Sequence, residues 1–200
     1  MNKTWHKTLS VGVVLAISLT GCASKQTETK PTKTAKPTQV ASSPKQGGEQ
    51  KALAEKKKLG TWEGPPPQCP PICHEHSKDG AATTAANWIR ATDYAIFTGN
   101  TESLEKATSS SMPAFAVIRK IKEEFKKRGK TFGKPLQYKF DLQEVMNENT
   151  FDTQFIVEEY EHVSERGDKI PGDRGIIRIR TIFQENHWVV EAVTAEKDNQ

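Results

Sequence analysis

The chain has 200 residues, 34% of them apolar, three cysteines and a formal net charge of +4, which bounds it to one or two domains. The charge is unevenly spread: residues 23–60 hold nine Lys against three Glu, whereas residues 61–200 hold 18 Lys plus Arg against 22 Asp plus Glu. A basic fold that grips nucleic acid is therefore not indicated, and no apolar run after the first 21 residues approaches the length of a membrane-spanning helix.

Lys3, His6 and Lys7 open the chain, Leu9 to Leu19 form a short apolar core, and Leu19-Thr20-Gly21-Cys22 closes it. A charged start, a short apolar run and a small-residue exit read as a secretory signal. The segment resembles a bacterial lipoprotein signal. That resemblance implies cleavage between Gly21 and Cys22, acylation of Cys22, and a protein held at the extracytoplasmic face of the cell membrane by two or three acyl chains. An ordinary signal peptide with a chance cysteine is the alternative.

Residues 22–60 form a Lys/Thr/Pro tether, with too little apolar surface to offset the entropy of ordering. As a flexible coil, residues 23–79 would reach roughly 40 Å from a membrane. The tether lysines serve as a solvated spacer or lie against anionic lipid or cell-wall polymer. Residues 61–79 are a Pro/Cys-rich bridge containing Cys69-Pro-Pro-Ile-Cys73-His74-Glu-His76. In an exported protein Cys69 and Cys73 are a possible disulfide. Polyproline geometry would hold them about 12 Å apart, so a bond requires a bend at Pro70-Pro71, for which a cis peptide is one route. The same residues with His74 and His76 supply four zinc-ligand types, but crowded into one short stretch; free thiols are the third reading, and no metal or cofactor is assigned.

From Gly80 to residue 196 the pattern is that of an α+β domain. Ala81, Ala85, Trp88, Thr92 and Ala95 share one face of a helix over 81–97. Gly99 suits its left-handed cap, and Thr101 suits the N-cap of a short helix through Ala107. A third helix opens at Pro113 and buries Phe115, Ile118, Ile121 and Phe125. Leu136, Tyr138, Phe140 and Leu142 then alternate as a half-buried strand. Phe151 to Val157 alternate as a second strand, with a bulge expected near Glu158-Glu159. Lys169 to Gly175 read as a loop. Ile177, Ile179, Thr181 and Phe183 line a third strand, and Trp188, Val190 and Ala192 a fourth. Three helices before four antiparallel strands is an α+β order.

The run Gly80-Ala81-x4-Ala86-x-Trp88-x4-Asp93-Tyr94-Ala95-x-x-Thr98-Gly99-Asn100-Thr101-x-x-Leu104 resembles the opening of an actinobacterial lipoprotein family with a domain of unknown function, number 6318. That family is similar to the nuclear-transport-factor-2-like (SnoaL-like) fold. The resemblance implies a cone of helices on a curved four-stranded antiparallel sheet over roughly residues 65–195. It assigns no activity. Members of the family often carry a cysteine pair after the Thr-Gly-Asn-Thr turn, where this chain has Ser109-Ser110-Ser111-Met112.

Few residues point to chemistry. Some enzymes of the cone fold use an Asp–His pair, for which Asp93 would be the carboxylate and His74, His76, His162 or His187 the imidazole. Beside an apolar stripe, Asp93 reads more simply as a solvated surface residue. Arg178 and Arg180 share a strand face. On the outer face they pair with neighbours such as Glu158 and Glu159; at the cone mouth they would hold a carboxylate or phosphate. Trp88, Trp188, Phe140 and Phe155 are read as core. The expectation is a non-catalytic lipoprotein module binding an unknown small molecule or protein; the alternative is a small isomerase or hydrolyase using the cone cavity.

Overall fold

The computed structural model describes residues 55–197 apart from Lys57 and Ser111. The expected signal, its cleavage point at Gly21-Cys22 and most of the tether lie outside the described residues. Among the described residues the complete helices are α1 (Lys78–Thr98), α2 (Glu102–Lys106) and α3 (Met112–Arg128), preceded by a 3₁₀ turn at Pro71–His74. Four long strands, β2 (Gln137–Asn147), β3 (Thr150–Glu158), β6 (Arg174–Gln184) and β7 (His187–Lys197), form an antiparallel sheet in the order β2-β3-β6-β7. Three short strands, β1 (Thr131–Phe132), β4 (His162–Ser164) and β5 (Lys169–Ile170), form a second small sheet.

Helix α1 is the axis of the domain. The Ser77 hydroxyl accepts from the Gly80 amide at 3.0 Å, capping its start. Gly99 ends it in the left-handed region, at φ 77°. Ala81, Ala85, Ala91 and Ala95 are fully buried. Burial continues round the helix through Ile89, Asp93, Tyr94 and Phe97, because the sheet packs on one side and the chain around it on the others. A side chain at Gly80 would collide with the carbonyls of Glu75 and Ile72, so the 3₁₀ turn sits directly against the first turn of α1.

Helix α2 is capped differently from the expectation. The Asn100 Oδ1 atom accepts from the Glu102 amide at 3.0 Å, while the Thr101 hydroxyl donates to Glu105 at 2.6 Å. Trp88 is held below it, its indole N–H donating to the Thr108 hydroxyl at 2.9 Å, which in turn donates to the Leu104 carbonyl at 2.6 Å. The core joins these residues to Ile118 and Ile121 of α3 and to Phe155, Val157, Ile179 and Val190 of the sheet. Burying each such large side chain contributes about 1.5–3 kcal/mol.

The inner face of the sheet carries Phe151, Thr153, Phe155 and Val157 of β3 opposite Thr181, Ile179, Ile177 and Gly175 of β6. A two-residue turn with both residues at positive φ, Glu185 at 51° and Asn186 at 63°, joins β6 to β7.

Four strand expectations are corrected. The phase slip after Val157 is the chain leaving the sheet at Glu158 and entering β4, not a bulge. Ladder irregularities instead leave out Asp141 and Met146 of β2 and Glu191 of β7. The shift at Glu191 places Val193 opposite Ile179 and Ala192 opposite Arg180, so Ala192 leaves the face of Trp188 and Val190. The 169–175 loop contributes β5. Finally, β2 is a largely exposed edge strand rather than a half-buried one, with Phe140 49% and Val145 63% exposed. Phe140 touches the core only edge-on, its ring 6.1 Å from that of Phe155.

Candidate ligand-binding site

Cys69 and Cys73 are joined in a disulfide, Cα to Cα 6.0 Å. The bend between them is the 3₁₀ turn, with every described peptide trans. The bonded sulfurs leave no thiolate for a metal, and the two imidazoles nearby go separate ways. His76 stacks on Phe183 with centroids 4.3 Å apart and donates from Nε2 to the Glu148 carbonyl at 2.9 Å; His74 lies 6.2 Å from the ring of His187. His187 bonds the Glu185 carbonyl at 3.2 Å.

Arg178 and Arg180 stand on the outer face of the sheet, opposite Gln154 and Asp152. Arg180 holds Asp152 with two hydrogen bonds of 2.7 and 2.8 Å, and Arg178 donates to Gln154 Oε1 at 2.9 Å. Their partners are therefore Asp152 and Gln154, directly across the ladder, and not Glu158 or Glu159. The Asp152 contacts raise the Arg180 pKa further above its ordinary value.

Asp93 is not on the surface. It is 6% exposed, its Oδ2 accepts from the Leu136 amide at 3.1 Å, and burial pushes its pKa up to about 7, with a smaller upward contribution from Glu159. Glu159 is itself raised by its burial. His162 is buried and close enough to Glu159 to lower that acid's pKa; its Nε2 donates to the Lys134 carbonyl at 2.8 Å and its ring lies edge-on to Phe97. Among the described residues neither His162 nor any other imidazole is hydrogen-bonded to Asp93.

Around Asp93 the structure builds a cavity of about 200 Å³, walled by Trp62, Ile89, Arg90, Pro135, Leu136 and Tyr138. A second, of about 340 Å³, adjoins it under the Trp62–Gln68 segment and shares Trp62 and Arg90 with the first. Trp62 packs edge-on against Tyr94, ring centroids 5.5 Å apart, and its indole nitrogen is buried without a hydrogen-bond partner. Sequence reasoning missed Trp62, Arg90 and Tyr138 as cavity walls. Two signals were available: Trp62 is the first aromatic residue after a long polar stretch, and Arg90 lies one helical turn before Asp93, hence on the same helix face. Among the described residues no cluster of three or more His, Cys, Asp or Glu is placed to hold a metal, and no helix is long and apolar enough to cross a membrane.

The chain belongs to the family of unknown function DUF6318, whose profile matches residues 63–194. No curated protein matches it. Among solved structures it is similar to a domain of unknown function with a cystatin-like fold from Nostoc punctiforme, at 9% identity and a TM-score of 0.46, covering 62% of this chain and 81% of that one. A protein from Kribbella flavida gives 9% identity and 0.47 over 62% and 95% of the two chains. A protein described as a putative scytalone dehydratase from Novosphingobium aromaticivorans gives 8% and 0.43 over 57% and 82%.

Proposed function

We propose that this protein is a lipid-anchored lipoprotein at the extracytoplasmic face of the cell membrane, whose α+β domain binds a ligand without transforming it. The observation that carries the binding reading is the pair of adjoining cavities around Trp62 and Arg90, formed where the Pro-rich bridge crosses α1. Binding sites of this kind combine apolar walls with a few polar groups, which describes Ile89, Leu136 and Tyr138 beside Arg90 and Asp93. The anchoring rests on the Leu19-Thr20-Gly21-Cys22 sequence.

A second reading has one specific support. Asp93, with a pKa near 7 in a cavity, is suited to exchange protons at neutral pH, as an isomerase or hydrolyase would require. Against it, no imidazole lines the cavity, and the Asp93 carboxyl is already engaged by the Leu136 amide.

Two experiments test these readings. Cys22→Ala should abolish acylation and move the protein out of the membrane fraction in an exporting bacterial host; a membrane-bound mutant of normal mature size would defeat the anchor. Native mass spectrometry of the full chain, gently purified, should show an adduct that Trp62→Ala loses. A co-purifying molecule returned chemically altered by the wild type but not by Asp93→Asn would favour the enzyme instead.

A further inference from the structure

The ligand-binding reading leaves open what kind of molecule the two cavities take. The groups they share decide this. Arg90 and Trp62 line both cavities, and both side chains are hydrogen-bond donors with no acceptor capacity. The two differ in burial: the Trp62 indole nitrogen is shut away from solvent, whereas Arg90 is exposed. The indole N–H of Trp62 is buried with no partner, and Arg90 forms no ion pair or hydrogen bond among the described residues although its guanidinium carries five N–H groups. A buried donor left without an acceptor typically costs about 1–3 kcal/mol, so a ligand oxygen reaching the Trp62 indole relieves an existing deficit, while the exposed Arg90 is free to supply charge and planar donation.

The carboxylates nearby do not compete for the two donors. Asp93 accepts from the Leu136 amide, and with its pKa pushed up to about 7 by burial it is mostly neutral below that pH. Glu63, on the wall of the larger cavity, is exposed and bonds neither Arg90 nor Trp62. The remaining walls of the smaller cavity are Ile89, Pro135, Leu136 and the ring of Tyr138, which suit an apolar body.

We propose that the two cavities form one cleft for a small organic carboxylate, its apolar body beside Tyr138 and its anionic oxygens accepting from Arg90 and the Trp62 indole. Planar, bidentate donation to a carboxylate is the geometry in which arginine is strongest. This inference rests on the ligand-binding reading and narrows it.

The test compares benzoate, benzamide and benzylamine, which share a ring and differ in head group, titrated into the full chain in a mild non-ionic detergent and read by NMR shifts of the Trp62 and Arg90 side chains. Benzoate is expected to bind at least tenfold more tightly than benzamide, and benzylamine most weakly. Arg90→Gln, at an exposed position that leaves the core intact, should erase the benzoate preference. Trp62→Phe keeps the ring, removes the donor and should weaken benzoate about threefold. Benzamide or benzylamine binding in the cleft as tightly as benzoate, or a preference that survives Arg90→Gln, overturns the carboxylate assignment while leaving a binding cleft. Failure of all three probes to shift either side chain at saturating concentration overturns the cleft itself.

Discussion

The two ends of α1 are built on opposite terms. At its N-terminal end the polar groups have partners. The Trp188 indole donates to the Glu75 carbonyl at 2.7 Å, Ser77 caps the helix, Gln143 reaches the Lys78 carbonyl at 3.1 Å, and the Cys69–Cys73 disulfide fixes the turn that Gly80 packs against. About three turns further on, around Arg90 and Asp93, the Trp62 indole is buried without a partner, the exposed Arg90 guanidinium forms no ion pair among the described residues, and a carboxylate is held far from its ordinary pKa. The first end is arranged for stability. The second gives up stability and retains groups that can still form bonds, the pattern in which functional sites depart from local consistency.

The contrast breaks most visibly at Trp188. It is 2% exposed and contacts Phe151, Phe183 and His76, so Trp188→Ala should cost about 3–5 kcal/mol in urea denaturation, with a reduced near-ultraviolet tryptophan signal. At the other end, Asp93→Asn should stabilise. The folded chain holds a proton on Asp93 up to about pH 7, whereas its unfolded value is 3.8. Between those values the folded state binds more protons, so its stability falls as pH rises through the window and levels off above it. Asparagine keeps an acceptor for the Leu136 amide and removes the charge. Denaturation at pH 4 and pH 8 should show a gain at pH 8 on the order of 3 kcal/mol and little change at pH 4.

Smaller effects refine the picture. Cys69→Ser with Cys73→Ser opens a short covalent loop and should cost about 2 kcal/mol, seen as a lower thermal midpoint that reductant reproduces in the wild type. Phe140→Ser, on the exposed edge strand, should cost under about 1 kcal/mol and leave the denaturant slope unchanged. A loss comparable to that at Trp188 would show that β2 is covered in solution.

Much of the domain is legible in the sequence where the cause is local. The alternation Phe151-Thr153-Phe155-Val157 survives because both neighbouring strands extend its face, and Gly99 ends α1 through its own backbone freedom. Asp93 is illegible for the opposite reason. Helical periodicity sees one buried stripe, whereas the burial of Asp93 comes from the Trp62 segment and the Pro135-Leu136 connection, residues distant in sequence. Phe140 fails likewise: its alternation is correct, but its ring stays about half exposed on the edge strand and meets the core only edge-on at Phe155. Parity puts Arg178 and Arg180 on a shared face, yet only strand register identifies Asp152 and Gln154 as the partners.

The segment that walls the cavities is fastened at both ends. Upstream, the Gly133 amide donates to the Gly60 carbonyl at 2.9 Å, in a junction where Gly133 has no room for a side chain against His162; downstream, the disulfide ties Cys69 to Cys73. Between the two fastenings run Trp62 and three consecutive prolines. Such a strap behaves like the jaw of a caliper. Adding or removing a proline changes the gap it spans over α1 without disturbing the sheet, so the bore of the cleft can evolve by length alone while the rest of the domain stays as it is.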